Sequence, residues 1–307
     1  MISAVAKVGL TRALVASPLG FLIGLSLGTL GGGGSILAVP ALVYGAGEGA
    51  KVATTSSLVV VGTTSLIGMV DHLRAGRVRL WPGIGFGLVG IGGSFLGSAL
   101  NKSIAPDVLL FAFSGLILVA AWRMWSRRNA SERAVVTPAN DASLVISEME
   151  VVTATRSSEF EPALESDVEP RPNSSQQLAV TRSKAATVTR VLIAGSIVGF
   201  ITGFFGVGGG FVIVPALVLA LGYDMSYAVG TSLLVIAISS AEGLAFRLSS
   251  GSVDWRVVLP FTIAGVIGSV LGSHFSERVS PDRLTRWFVW LLIAVAIYTA
   301  VQSSMAL

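Results

Sequence analysis

The chain has 307 residues, of which 52% are apolar and only 12% charged, with 36 glycines, no cysteine and a mean hydropathy of +0.78. An average soluble domain carries roughly 25% charged residues, so this composition excludes an ordinary water-soluble fold and predicts a polytopic membrane protein; the lack of cysteine excludes disulfides and thiol catalysis. The net charge of +4 resides in short basic clusters between apolar runs, which is topology signal and not a phosphate-binding surface, so nucleic acid is not expected as a partner.

In chain order, Lys7 and Arg12 precede a first apolar run, Leu14–Leu30. That start imitates a secretory signal, but Val188–Phe205 is a second copy of the same segment in mid-chain, where no signal peptide can lie. Apolar runs follow at Ile36–Ala46, Val52–Val70, Leu80–Leu100 and Val108–Trp125, then at Val191–Phe205, Phe211–Leu221, Tyr227–Phe246, Val257–Ser273 and Leu284–Val301. A spanning helix needs about 20 such residues. Ile36–Ala46 and Phe211–Leu221 are too short for that. In hydrocarbon every backbone amide needs an internal partner, and no alternating barrel pattern is present, so the predicted fold is all-α.

Shifted by 175 positions, the chain lies on itself: Leu30-Gly31-Gly32-Gly33-Gly34-Ser35 on Phe205-Gly206-Val207-Gly208-Gly209-Gly210, and Val39-Pro40-Ala41-Leu42 on Val214-Pro215-Ala216-Leu217. The register continues through Ser57-Leu58 on Ser232-Leu233, Gly76 on Gly251, Gly93-Ser94 on Gly268-Ser269 and Pro106-Asp107 on Pro281-Asp282. The expectation is an internally duplicated helical bundle with a glycine-broken helix in each half: residues 1–128 the first membrane repeat, 188–307 the second. Between them 129–187 is polar, and the stretch Arg127–Val188 carries 9 of the 17 acidic residues. It reads as a disordered, tolerated insertion. Arg123, Arg127, Arg128, Arg182, Lys184 and Arg190 flank it, which predicts a cytoplasmic loop.

Clusters at Gly31–Gly34 and Gly206–Gly210 permit backbone conformations other residues resist, and Pro40 and Pro215 remove a donor further on, so each helix is expected to be interrupted. An interrupted helix leaves unpaired N–H groups at the start of the next segment, a positive dipole end suited to an anion. Irregular backbone survives at membrane depth only inside protein or along a cavity, and paired breaks in corresponding halves point to a transporter's binding site. Gly20, Gly24 and Gly28, like Gly195, Gly199 and Gly203, instead have the spacing of helix-packing ridges. No Lys-Ser/Thr follows either cluster, so neither is a P-loop, and Gly206-Val207-Gly208 has no βαβ context.

The two Gly-x-Gly-Gly copies, each with a downstream Val-Pro-Ala-Leu, and the later Ser56-Ser57-Leu58 and Thr231-Ser232-Leu233 resemble the TauE/SafE family of sulfite and organosulfonate exporters. The resemblance covers nearly all of the chain outside the central loop, and implies a multi-pass carrier of the plasma or inner membrane. The expected activity is secondary transport, in the export direction, of a small anion such as sulfite or an organosulfonate, by alternating access. Contacts would come from Gly32, Gly33, Gly34, Ser35 and Ser57 in the first half and Gly208, Gly209, Gly210, Thr231 and Ser232 in the second. Alternatives are an uptake permease or channel for another solute, including a cation, and a non-transporting assembly factor.

Glu242 is the carboxylate lying well inside an apolar run, and an intramembrane acid is a functional hypothesis by default, here proton coupling. Asp71, His72, Arg74, His274 and Arg278 read as solvated helix exits. No triad or ligand spacing suggests an enzyme, a metal or a cofactor. Two topologies fit. If each break lies within one long span the halves are parallel; if it makes a short hairpin they are inverted, the arrangement that suits alternating access and the shortness of Ile36–Ala46 and Phe211–Leu221.

Overall fold

The computed structural model describes residues 17–101, 112, 115–126, 174–205, 210–247 and 253–306. Among these residues the chain forms helices and turns with no strand, because in a bilayer core only intra-segment hydrogen bonds can satisfy an open chain's amides. Helix α1 is residues 17–30; a tight turn, Gly31–Gly34, leads to α2 (Ser35–Pro40) and a π turn, Ala41–Gly45. Then come α3 (Ala50–Arg74), α4 (Leu80–Asn101), α5 (residues 115–126), α6 (Ser174–Phe205), α7 (Gly210–Leu221), α8 (Met225–Arg247), α9 (Trp255–Arg278) and α10 (Pro281–Ala306). Helix α6 thus takes in the last residues of the stretch expected to be linker, while 127–173 lie outside the described residues.

Six described stretches are long and apolar enough to cross a membrane: Ser17–Gly45, Lys51–Arg74, Leu80–Leu100, Thr187–Phe205, Met225–Arg247 and Trp255–Arg278. The first is not a single crossing. Gly31 takes φ +69°, a left-handed conformation that a Cβ would strain, and the chain folds back there. Gly34 packs on Ile23 and Leu27, and Gly45 on Leu19. In the first half, then, the chain makes a hairpin whose two ends share one end of the bundle. The matching glycines of the second half, Gly208 and Gly209 among them, lie outside the described residues. The two prolines behave differently. Pro40 is followed by the π turn, whereas Pro215 sits inside a continuous α7, where its ring removes one intrahelical bond without ending the helix.

Contact registers fix the helix directions. Thr64 meets Gly265 and Gly68 meets Ser269, so α3 and α9 are parallel; Leu58 meets Gly243 and Gly62 meets Ser240, so α3 and α8 are antiparallel. Gly83 against Thr231 and Gly87 against Ile238 make α4 parallel to α8. The bundle therefore has two ends. At one lie Glu48, the starts of α3 and α9 and the last turn of α8; at the other lie Arg79, the starts of α4 and α8 and the last turns of α3 and α9.

Glycine ridges position the outer helices. Gly20, Gly24 and Gly28 of α1 face Phe261, Gly265 and Ser269 of α9, while Gly195, Gly199 and Gly203 of α6 face Phe86, Gly90 and Ser94 of α4. Each residue of the second set stands 175 positions from its equivalent in the first. Cβ atoms on Gly24, Gly28, Gly199 or Gly203 would collide with facing backbone carbonyls, so close backbone approach dictates glycine here. Helix α1 follows α9 from the Glu48 end and α6 follows α4 from the Arg79 end. Segments at the 175 offset therefore enter the bundle from opposite ends.

Candidate functional site

The tip of the first-half hairpin is buried where it meets α7 and α8. Gly31 lies against Ser232 and Val229, and Gly32 against the Gly210 carbonyl and the Phe211 amide nitrogen. The Ser35 side chain packs directly on Gly210, the residue at its own 175 offset, so equivalent positions of the two halves meet. The structure thus brings Gly32, Ser35, Gly210 and, through Gly31, Ser232 into one junction. Helix α7 begins at this point, so the junction lies against the first turn of an apolar helix.

Within the junction the glycines differ in what surrounds them. A Cβ on Gly32 would overlap the Gly210 carbonyl, and one on Gly34 would come 2.6 Å from the Ile23 carbonyl oxygen. On Gly33 it would meet instead the end of Leu291, 2.6 Å away, and the Phe288 ring at 3.4 Å. Gly33 is therefore the cluster position where a side chain displaces another side chain and not backbone.

The hydroxyls are engaged locally. Ser35 Oγ donates to Gly32 O at 2.7 Å, Ser57 Oγ to Thr54 O at 2.8 Å and Ser232 Oγ to Val229 O at 2.8 Å. Each hydrogen is committed to a carbonyl three residues earlier, which leaves the hydroxyl oxygen as an acceptor. Thr231 acts between helices instead, since its Oγ1 accepts the Arg79 N–H at 3.1 Å and so closes the start of α4. Ser57 and Thr231 lie in α3 and α8, the central helix pair, outside the set of contacts that forms the junction.

Glu242 is half-buried on α8 and makes no ion pair with Arg247. His72 is not solvated, contrary to expectation: it is 1% exposed, with Nε2 3.3 Å from Gly28 O. Asp71 accepts from Ser273 Oγ at 2.7 Å and lies 4.0 Å from His274, while Arg77 pairs with Glu277 at 2.6 Å. The physical reason is that α3 and α9 run side by side to their last turns, so residues that look terminal in sequence are packed between helices. His274 itself is exposed, as a helix exit should be.

Sequence reasoning passed over one buried acid, Glu48. It follows the hairpin in the turn Ala46-Gly47-Glu48-Gly49, which looks like a polar connector. Yet its side chain is buried and neither carboxylate oxygen completes a hydrogen bond. Burial pushes its pKa above the usual carboxylate range, and the nearby negative Asp254 adds to that, while the neighbouring Ser56 hydroxyl opposes it. The repeat aligns Glu48 with the half-buried Tyr223, which carries no mark of an enclosed acid.

Among the described residues no group of three or more His, Cys, Asp or Glu could hold a metal. The sequence profile of the family described as Sulfite exporter TauE/SafE matches residues 16–299. Two proteins of Xylella fastidiosa described as "Probable membrane transporter protein" are 30% identical over 92% of this chain and 93% of theirs (strain 9a5c) and 31% identical over the same shares (strain Temecula1). A Bacillus subtilis protein, "Probable membrane transporter protein YdhB", is 23% identical over 90% of this chain and 95% of its own. No solved structure is matched.

Proposed function

Because the chain belongs to the TauE/SafE family and is a membrane transporter, we propose that it is a secondary exporter of a small anion, sulfite or an organosulfonate, working by alternating access around the hairpin junction. The observation that carries this reading is the contact of Ser35 and Gly32 with Gly210, where irregular backbone from one half abuts the first turn of α7, the end of a helix at which an anion is favoured. Gly33, Gly34, Gly208, Gly209 and Ser232 complete the proposed contact set, and Ser57 and Thr231 border it from the central helix pair. An oxyanion would bind there through backbone amides and rotated hydroxyls, with no cofactor. The basic residues flanking the central loop support a cytoplasmic loop in the plasma or inner membrane. As α6 enters from the Arg79 end, that end would face the cytoplasm and the Glu48 end the outside. Glu242 is a candidate coupling acid on the same reading.

A second reading draws on the committed hydroxyl hydrogens of Ser35, Ser57 and Ser232. Oxygen lone pairs and carbonyls at a helix break suit a cation as well, which would make the protein a permease or channel for Na⁺ or a similar ion. Proteoliposomes assayed with radiolabelled sulfite, a sulfonate, sulfate and Na⁺, with and without a pH gradient, decide between them. Saturable flux of sulfite or the sulfonate is expected; Na⁺ flux alone would replace the anion reading with the second.

A further inference from the structure

Glu48 stands in the turn that joins the hairpin to α3. Gly47 has φ +68°, and a Cβ at Gly47 or Gly49 would meet nothing within 4 Å, so the acid sits between two unobstructed glycines that join the hairpin to α3. The side chain is nonetheless 8% exposed, and both its oxygens lack hydrogen-bond partners. The hydroxyl of Ser56, fully buried one turn and a half into α3, is beside it and likewise completes no hydrogen bond of ordinary geometry. An ionised carboxylate left this way would be buried and without a cation, with the Ser56 hydroxyl its nearby donor, a costly state that a neutral acid avoids.

The charged and titratable groups about it do not stabilise an anion. On the hairpin Tyr44 is exposed, and on the first turn of α3 Lys51 is exposed. At the start of α9, Asp254 is the charge that acts on Glu48; it is exposed and accepts the Arg256 N–H at 3.1 Å, with Arg256 itself exposed. Helix α8 brings Glu242 and Arg247 to the same end, and neither pairs with Glu48. The equivalent position at the other end holds Tyr223, near Arg79, so the acid belongs to one end of the bundle alone.

We propose that Glu48 carries the coupling proton: it is the neutral acid while its turn, acting as a hinge, is folded over Ser56, and it releases its proton to water at the Glu48 end when the hinge opens. The assignment rests on the transporter reading above and adds the coupling ion and its carrier. The O–H bond of the acid breaks and water at the Glu48 end takes the proton; before the hinge closes again the carboxylate takes a proton from water that reaches it from the opposite end in the other state of the cycle, so that one proton crosses per cycle.

The test is labelling with dicyclohexylcarbodiimide, which adds to protonated carboxyl groups in apolar surroundings, on the intact protein in liposomes, mapped by peptide mass spectrometry. An adduct on Glu48 is expected at neutral pH, fading as the pH is raised and absent in Glu48→Gln. Labelling of Glu242 with none on Glu48, or labelling of Glu48 that ignores pH, overturns the proposal. In parallel, sulfite flux in Glu48→Gln should be the same with and without an imposed pH gradient, whereas wild-type flux is accelerated by it. Equal acceleration in both proteins overturns the proposal too. If wild type moves no sulfite while Glu48 labels and titrates as expected, the sulfite reading falls and the protonated hinge acid stands.

Discussion

The two turns that follow α2 and α7 share a backbone and differ in chemistry. Glu48 N–H donates to Leu42 O at 3.1 Å and Tyr223 N–H to Leu217 O at 3.2 Å; Gly47 and Gly222 have φ +68° and +71°. Leu42 and Leu217 are both fully buried. At one turn stand Glu48, Ser56 and Asp254, at the other Tyr223, Thr231 and Arg79, position for position at the 175 offset. Backbone geometry and the buried leucine thus match between the two turns, while the polar residues differ.

The shared backbone can be tested first, where the effects are largest. Gly24→Val and Gly199→Val should be equally damaging, because each drives a side chain into the facing carbonyl, of Gly265 and Gly90 respectively. Overpacking of this kind costs about 1–3 kcal/mol or more, read as lost detergent melting temperature. A tolerated substitution in one half alone would break the equivalence.

A smaller effect separates the two turns by pH. The raised pKa of Glu48 means that the folded protein binds the proton more tightly than the unfolded chain. Its contribution is therefore fully present at acid pH and is lost as the pH climbs through the folded value. Glu48→Gln should flatten the fall in melting temperature between acid and neutral pH by a few degrees, and Tyr223→Phe should leave it unchanged. An unchanged slope in Glu48→Gln would mean that the acid is ionised in the folded state.

Smaller still is the hydroxyl pair. Thr231→Val removes the acceptor of the Arg79 N–H and should cost about 1 kcal/mol. Ser56→Ala, its counterpart, has no such bond to lose and should be close to neutral. Equal costs would show that Ser56 caps α9 as Thr231 caps α4. Last, Arg77→Gln at the Arg79 end breaks the Glu277 pair, partly exposed, and a double-mutant cycle with Glu277→Gln should give about 0.2–1 kcal/mol.

Much of this arrangement could be read from residues. The helical class follows from apolar runs in a bilayer, and glycines at every fourth position of α1 and α6 announced helices packed backbone to backbone. The fold-back at Gly31 was less legible, because a glycine run permits a turn without setting its angle; Leu19, Ile23 and Leu27, which receive the returning limb of the hairpin, carry no mark of it. Asp71 and His72 were misread since a helix end and a solvated residue coincide in sequence, and only the parallel course of α9 shows that His72 is enclosed. Glu48 was hidden by its own glycines, which give a turn with a buried acid the composition of a surface turn.

The central claim, that substrate passes the hairpin junction, is met most directly at Gly33, where a new side chain presses on Leu291 and Phe288 and not on backbone. Sulfite flux should be measured in proteoliposomes holding equal amounts of folded wild-type and Gly33→Val protein, with folding checked by melting temperature. The account predicts a Gly33→Val protein that inserts and melts close to wild type yet has lost its flux; a folded variant with wild-type flux would contradict it.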